Sequence, residues 1–220
     1  GGFNILISLV LNLATILDQS LTNPHIKARL VAKGFTMRAG VDFGETFSPV
    51  VKIALLRLFL AISAHLDLEI LHLDVVTAFL NGDLEEDVYM VLPQDYDVNG
   101  KSVIVKLLKA IYGTKQASRC FWKAMHKMLG DFGFKRCAAE MCVYVLVRSG
   151  SILIIAVYVD DDFVSHNDKK LFDEFLVHAR KYFKMKNTGE ISFALGLRIQ
   201  RDRSNKVIYL DQESYCLDLL

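Results

Sequence analysis

An α+β fold is predicted for this chain by three observations. Apolar strands at 68–75 and 152–159 each run into aspartate, two amphipathic helices follow at 116–132 and 168–184, and turn residues separate every element. In order, the strongest elements are strand 68–75, helix 116–132, strand 152–159, strand 163–166, helix 168–184 and strand 196–200. That succession is β-α-β-β-α-β, a ferredoxin-like pattern. In such a pattern the first and third strands lie side by side, so the end of strand 68–75 meets the turn at 160–162.

Each element has a local reason. Ser48-Pro49 reads as an N-cap followed by proline at the first helical position, opening an apolar helix through about His65. Along 68–75 the two-residue alternation puts Leu68, Ile70, His72 and Asp74 on one face. Phe121, Trp122, Met125, Met128, Leu129 and Phe132 recur at helical spacing, with Gly130 and Gly133 marking the exit. Val143–Val147 and Ile152–Val159 join through Ser149-Gly150-Ser151 as a hairpin, and Phe163–Ser165 returns as a further strand beside Asp160-Asp161-Asp162. Leu171, Phe172, Phe175, Leu176, Ala179, Tyr182 and Phe183 stripe a helix capped by Asn167. A last hairpin pairs 196–200 with 207–210 around Ser204-Asn205. With three prolines and no low-complexity tract, one interwoven unit is the expectation.

Composition narrows the function classes. The 220 residues are 52% hydrophobic with a formal net charge of +1, so a substantial core is available and no overall basic excess announces a nucleic-acid binder. Four cysteines, Cys120, Cys137, Cys142 and Cys216, contain no C-x-x-C pair and read as free thiols. Gly1 to Leu17 carries no charge, but Asn4, Ser8 and Asn12 interrupt it and it is shorter than the ~20 residues of a spanning helix. No membrane association is expected. The opening glycine points to a piece of a longer product.

Adjacent carboxylates at an apolar strand end repel one another, and burial adds a desolvation cost. A divalent cation offsets both. Mg²⁺ suits sites with few carboxylates, several waters and substrate phosphates, and two such ions activate an attacking hydroxyl and stabilise a leaving oxygen in phosphoryl transfer. Asp74, Asp160 and Asp161 are the candidate ligands; a solvated acidic turn is the plain alternative.

Tyr158-Val159-Asp160-Asp161 resembles the catalytic box of reverse transcriptases. Leu73-Asp74-Val75, followed by Thr77-Ala78-Phe79-Leu80-Asn81-Gly82, resembles the first-aspartate box of the copia-type retrotransposon branch. Lys27-Ala28-Arg29-Leu30-Val31-Ala32-Lys33-Gly34, Glu45-Thr46-Phe47-Ser48-Pro49-Val50, Val88-Tyr89-Met90, Tyr112-Gly113-Thr114-Lys115-Gln116-Ala117 and Leu195-Gly196-Leu197 follow in the family's order. The resemblance implies a reverse-transcriptase-like palm with partial fingers. An atypical segment would occupy 1–26, fingers mainly 27–52 and 82–115, palm mainly 67–81 and 116–200, and the start of a thumb 201–220.

The same resemblance implies RNA-directed DNA polymerase activity on a primer paired with an RNA or DNA template. Deoxynucleoside triphosphates would be the substrates, with two Mg²⁺ (or Mn²⁺) ions held by Asp74, Asp160 and Asp161. Phe79 would be the steric gate beneath the incoming sugar, or else an ordinary core phenylalanine. Gln116 would touch the incoming nucleotide, or else cap a helix. Lys27, Arg29 and Lys33 would meet the triphosphate, or form a solvated strand face. Leu195, Gly196 and Leu197 would form the primer grip, with glycine permitting close backbone approach. Lys181, Lys184 and Lys186 are candidate phosphate contacts. RNase H and integrase regions of a Pol polyprotein are expected to be absent from this chain, and family members work in cytoplasmic particles.

The chain departs from the family at several positions. Gly1–Pro24 does not resemble the tryptophan-containing fingers segment that usually precedes Lys27 in the family, and Asp162 replaces an apolar residue, placing a third negative charge at the turn. Thr114, Asp95, Leu92 and Val76 also depart. Replacing Asp162 by leucine is accordingly expected to strengthen metal binding by relieving repulsion. Two other readings stand beside the polymerase: a degenerate remnant that at most binds nucleic acid, and a palm-type cyclase.

Overall fold

A computed structural model describes residues 5–16, 25–92 and 96–219, with side chains from residue 30 onward, Ser214 apart. The first strands are β1 (Ile5–Ile16) and β2 (His25–Ala32), followed by helix α1 (Ile53–His65), β3 (Glu69–Val75), β4 (Val88–Val91) and β5 (Ile104–Lys106). Next come α2 (Ala117–Phe132), β6 (Lys135–Arg136), β7 (Val143–Arg148), β8 (Ser151–Tyr158) and β9 (Asp161–His166). Then follow α3 (Lys169–Ala179), β10 (Met185–Glu190), β11 (Phe193–Ala194), β12 (Leu197–Asp202), β13 (Val207–Asp211) and α4 (Glu213–Asp218). The chain divides into two compact units rather than the single one expected: residues 1–48 with 78–125, and 49–77 with 126–220. No helix among the described residues is long and apolar enough to cross a membrane.

In the first unit a four-stranded sheet has the order β2-β1-β4-β5. The uncharged N-terminal run, for which the sequence predicted no element, is β1, antiparallel to β2 and parallel to β4. Ala32, Met37, Val88, Met90, Leu107 and Ile111 form the buried cluster here. Two glycines from separate sequence blocks let backbones touch. A Cβ on Gly34 would stand 1.8 Å from the Gly113 carbonyl oxygen, and one on Gly113 would stand 2.1 Å from that of Ala32. The Ala32 amide donates to Tyr112 O at 2.8 Å, closing the contact.

The second unit holds a six-stranded sheet of order β10-β3-β9-β8-β7-β6, with every neighbouring pair antiparallel, and a three-stranded sheet β11-β12-β13. Leu56, Phe59 and Leu60 of α1 pack with Ile70, Ala156 and Phe163 on one face of the larger sheet, joined by Ala194 and Ile199 of the smaller one. Leu153, Ile155 and Val157 alternate onto the opposite face and are also buried, which explains why β8 reads as a nearly unbroken apolar run. Phe132 and Phe134 meet Phe175 of α3 edge-on at 5.5 and 5.3 Å, and His178 Nε2–H donates to Met128 O at 3.1 Å. Arg201, its side chain 8% exposed, donates to Leu68 O and to Asp67 Oδ1, tying β12 to the start of β3.

Four boundaries differ from the sequence expectation. The helix expected from Pro49 begins at Ile53, because residues through Lys52 stay extended and lodge Val51 in the core. Asp168, not Asn167, caps α3: its carboxylate accepts from the Lys170 and Leu171 amides, while Asn167 Oδ1 accepts from the Ile152 amide. That helix stops at Ala179 rather than 184, since Tyr182 and Phe183 already close turns onto the Ala179 carbonyl. The fourth strand of the β-α-β-β-α-β series is β10, and 196–200 lies in the smaller sheet. β10 is polar apart from Met185, with a bulge between Asn187 and Gly189, so it gave no alternating apolar signal. The hairpins at 149–150 and 203–206 form where the turn residues put them.

Gly34→Ala is expected to cost about 1–3 kcal/mol by overpacking against backbone that cannot yield, read as a lower urea midpoint; an unchanged midpoint would show that the contact relaxes freely.

Candidate active site

The site is built on the pairing of β3 with β9. Asp74 stands directly opposite Asp161, and Leu73 opposite Asp162. On the far side of β9, Tyr158 faces Asp161. On the far side of β3, Lys186 of β10 faces Asp74. Lys186, Asp74, Asp161 and Tyr158 therefore make one row across the sheet, with neighbouring Cβ atoms about 4.5–5.5 Å apart. Like charges placed directly opposite destabilise a sheet. Lys186 supplies a neighbouring cation on one side, and on the other side His72 Nε2–H donates to Asp161 Oδ1 at 2.7 Å. The sequence pattern placed His72 on this face but gave it no role; only the register reveals its reach.

Asp160 lies in the two-residue loop between β8 and β9, and its carbonyl accepts from the Val75 amide at 2.8 Å, a bond that ties the loop to the end of β3. Val159 precedes it with φ +47°. A positive φ at the first position of a two-residue hairpin loop is where glycine normally sits, and a β-branched side chain there is strained. Asp74, Asp160 and Asp161 are all half-buried. No three His, Cys, Asp or Glu side chains gather into a preformed metal cage among the described residues.

Asp162 does not crowd the turn as expected. Strand alternation sends it to the opposite face from Asp161, in the row of Leu73 and Val157, where it is 1% exposed. Burial pushes its carboxyl well above the usual range, against the one favourable contact, the Tyr158 amide; Asp161 and Asp160 add to the rise. The raised pKa favours the neutral acid, which lessens repulsion with its neighbours.

The remaining candidate residues belong to the first unit and to the smaller sheet of the second. Phe79, in a short helical turn over Ala78–Asn81, packs its ring edge-on to Tyr112 at 4.8 Å beside Leu84 and the buried Ala110, Ala117 and Cys120. Gln116 is 1% exposed, with Nε2–H donating to Glu86 Oε2 at 3.5 Å and Oε1 lacking a hydrogen-bond partner. It lines a cavity of about 350 Å³ with Glu45, Glu85, Arg119 and Lys123, among which Arg119 pairs with Glu45 and Lys123 with Glu85. Burial pushes the Cys120 thiol of this cavity up to about 11, so it is no nucleophile at neutral pH. Lys33 is half-buried just after β2; the side chains of Lys27 and Arg29, on β2 itself, lie outside the described residues. Asp95 lies outside them too.

Leu195 and Gly196 form the two-residue loop of the β11–β12 hairpin, with φ +49° and +77°, while Leu197 opens β12. Positive φ at both positions is the type I′ geometry. No atom lies within 4 Å of a Cβ built on Gly196, so within this chain the glycine serves the turn rather than a close approach.

A family profile described as "Reverse transcriptase (RNA-dependent DNA polymerase)" matches residues 13–220. The chain is 41% identical over 191 residues to the "Retrovirus-related Pol polyprotein from transposon TNT 1-94" of Nicotiana tabacum, covering 86% of this chain and 14% of that protein. It is 38% identical over 195 residues to the "Retrovirus-related Pol polyprotein from transposon RE1" of Arabidopsis thaliana, covering 88% and 13%. Against the "Transposon Ty1-DR1 Gag-Pol polyprotein" of Saccharomyces cerevisiae it is 27% identical over 208 residues, covering 89% and 11%. The chain thus spans about one seventh of the length of the plant relatives.

Because the fold raises the Asp162 pKa above its unfolded value of about 4, its contribution is fully present below that pH and is lost as pH rises toward the higher folded value. Asp162→Asn is therefore expected to be more stable than the parent by a margin that widens from pH 4.5 to pH 7.5 in urea titrations. A margin independent of pH would mean that Asp162 is ionised in the fold. Asp162→Leu is expected to leave cation affinity unchanged, in contrast to the expectation from sequence.

Proposed function

This chain belongs to the reverse transcriptase family, in its copia-type retrotransposon branch, and from that membership we propose that it is the palm and fingers of an RNA-directed DNA polymerase. The observation carrying the proposal is the directly opposed pair Asp74 and Asp161, with Asp160 in the adjoining loop. The β10-β3-β9-β8 strand order supports reading the second unit as a ferredoxin-like palm. The first unit, which carries the Lys27–Gly34 and Tyr112–Ala117 blocks, is read as fingers.

Asp74 and Asp161 are hard oxygen donors of the kind that hold Mg²⁺ or Mn²⁺ together with waters and substrate phosphates. When bound, two such ions activate the primer hydroxyl and stabilise the leaving pyrophosphate oxygen. The chain's own residues have the remaining tasks. Asp74 and Asp160 are assigned as the main ligands and Asp161 as the third. The carbonyl of Asp160, bonded to the Val75 amide, fixes the loop against β3 so that the three carboxyl groups keep their spacing. Lys186, opposite Asp74, offers positive charge toward the phosphates.

Family resemblance supports Phe79 as the steric gate, Gln116 and Lys27, Arg29 and Lys33 as nucleotide contacts, and the Leu195-Gly196-Leu197 turn as the primer grip. Primer–template and deoxynucleoside triphosphates are the proposed partners, and RNase H and integrase belong to other parts of such polyproteins. A second reading, a remnant that binds nucleic acid without extending it, draws on the buried acid at Asp162, where the family carries an apolar residue.

Primer extension on an RNA template with Mg²⁺ or Mn²⁺, run beside Asp160→Asn, separates the two. Extension by the parent chain that the substitution abolishes, a drop of at least about 100-fold, is the expected result. Retained primer–template binding with no extension would select the remnant.

A further inference from the structure

The imidazole of His72 sits two residues before Asp74 on β3, on the same face, and reaches diagonally across the register to Asp161. Its Nε2–H donates to Asp161 Oδ1 at 2.7 Å, and its ring lies against that of Phe163, centroids 5.7 Å apart and planes tilted by 33°. The His72 side chain is 25% exposed and that of Asp161 47%. The imidazole is thus backed by the core through Phe163, whereas the carboxylate it holds faces solvent.

We propose that His72 is a positioning residue for Asp161: it holds Oδ1 and leaves Oδ2 as the oxygen offered to a cation. This rests on the two-metal reading of the site. Without a partner, an aspartate at a strand end samples several rotamers and presents either oxygen, or both, to an approaching ion. A short hydrogen bond to a carboxylate is among the stronger kinds, and a donor seated on an aromatic ring cannot follow the carboxylate if it turns. The rotamer is therefore selected before the ion arrives. Asp74 stands opposite Lys186 in the register, and the Asp160 backbone is tied to the end of β3 through its carbonyl. Outer partners that orient metal-binding side chains typically change metal affinity 10–100-fold when removed.

The test is Mn²⁺ binding to the whole chain, with the free ion counted by electron paramagnetic resonance and each variant's urea transition recorded to establish that it is folded. His72→Leu is expected to weaken binding about 10-fold or more. His72→Gln, which keeps an N–H donor of similar reach, recovers most of that loss, and His72→Leu added to Asp161→Asn causes no further loss. Equal or tighter binding in His72→Leu overturns the assignment, the latter because the imidazole would then compete with the ion. So does an undiminished effect in the Asp161→Asn background. Mn²⁺ binding by the parent chain that ignores Asp160→Asn sinks the two-metal reading itself, a result distinguishable from failure of the His72 assignment alone.

Discussion

Everything in the candidate site depends on the antiparallel register between β3 and β9. Six consecutive residue pairs run from Glu69 with His166 to Asp74 with Asp161. A slip by one residue would exchange the faces of every side chain on β9. Asp161 would then enter the core and Asp162 would take its place beside Asp74. The buried Phe163, packed with α1 residues, and the buried Val164 on the opposite face hold the register, because both would be misplaced together. The chemistry of the carboxylate row is thus set by hydrophobic packing beyond it.

Adjacent aspartates meet opposite fates on this strand. Asp161 reaches solvent and a hydrogen-bond donor, so it remains available as an oxygen donor. Asp162 stands between Leu73 and Val157, and burial raises its pKa well above the usual range. Desolvation decides the outcome: within a strand that packs on both faces, an acid on the inward side loses its water and gains a single amide in return. A run of three aspartates in the sequence is consequently two half-buried carboxylates and one buried acid.

Much of this was legible before the structure. Apolar runs, the Ser149-Gly150 turn and the 3.6-residue stripes marked β7, β8, α2 and α3, and strand order brought the ends of β3 and β9 together. What could not be read was polar or non-local. β10 lacks an apolar alternation because its sequence, Met185-Lys186-Asn187-Thr188-Gly189-Glu190, pairs at the sheet edge through its backbone. The placement of His72 and Lys186 beside the carboxylates arises from cross-strand register, which spacing along one strand does not encode. The triplet does not act as one turn: Asp161 and Asp162 lie on β9, where period-two alternation separates them.

Each compact unit is made of two stretches of chain, and the boundaries fall after residues 48, 77 and 125. On a ribosome the first unit therefore cannot close until residue 125 has emerged, by which time α1 and β3 are exposed without β8 and β9. The nascent chain must carry Leu56, Phe59 and Leu60 uncovered for roughly a hundred residues of synthesis, at ~5–20 residues per second a wait of several seconds or more. A premature stop anywhere between β3 and β9 would leave an apolar helix and a lone carboxylate strand with nothing to pair, a product bound for proteolysis rather than partial function.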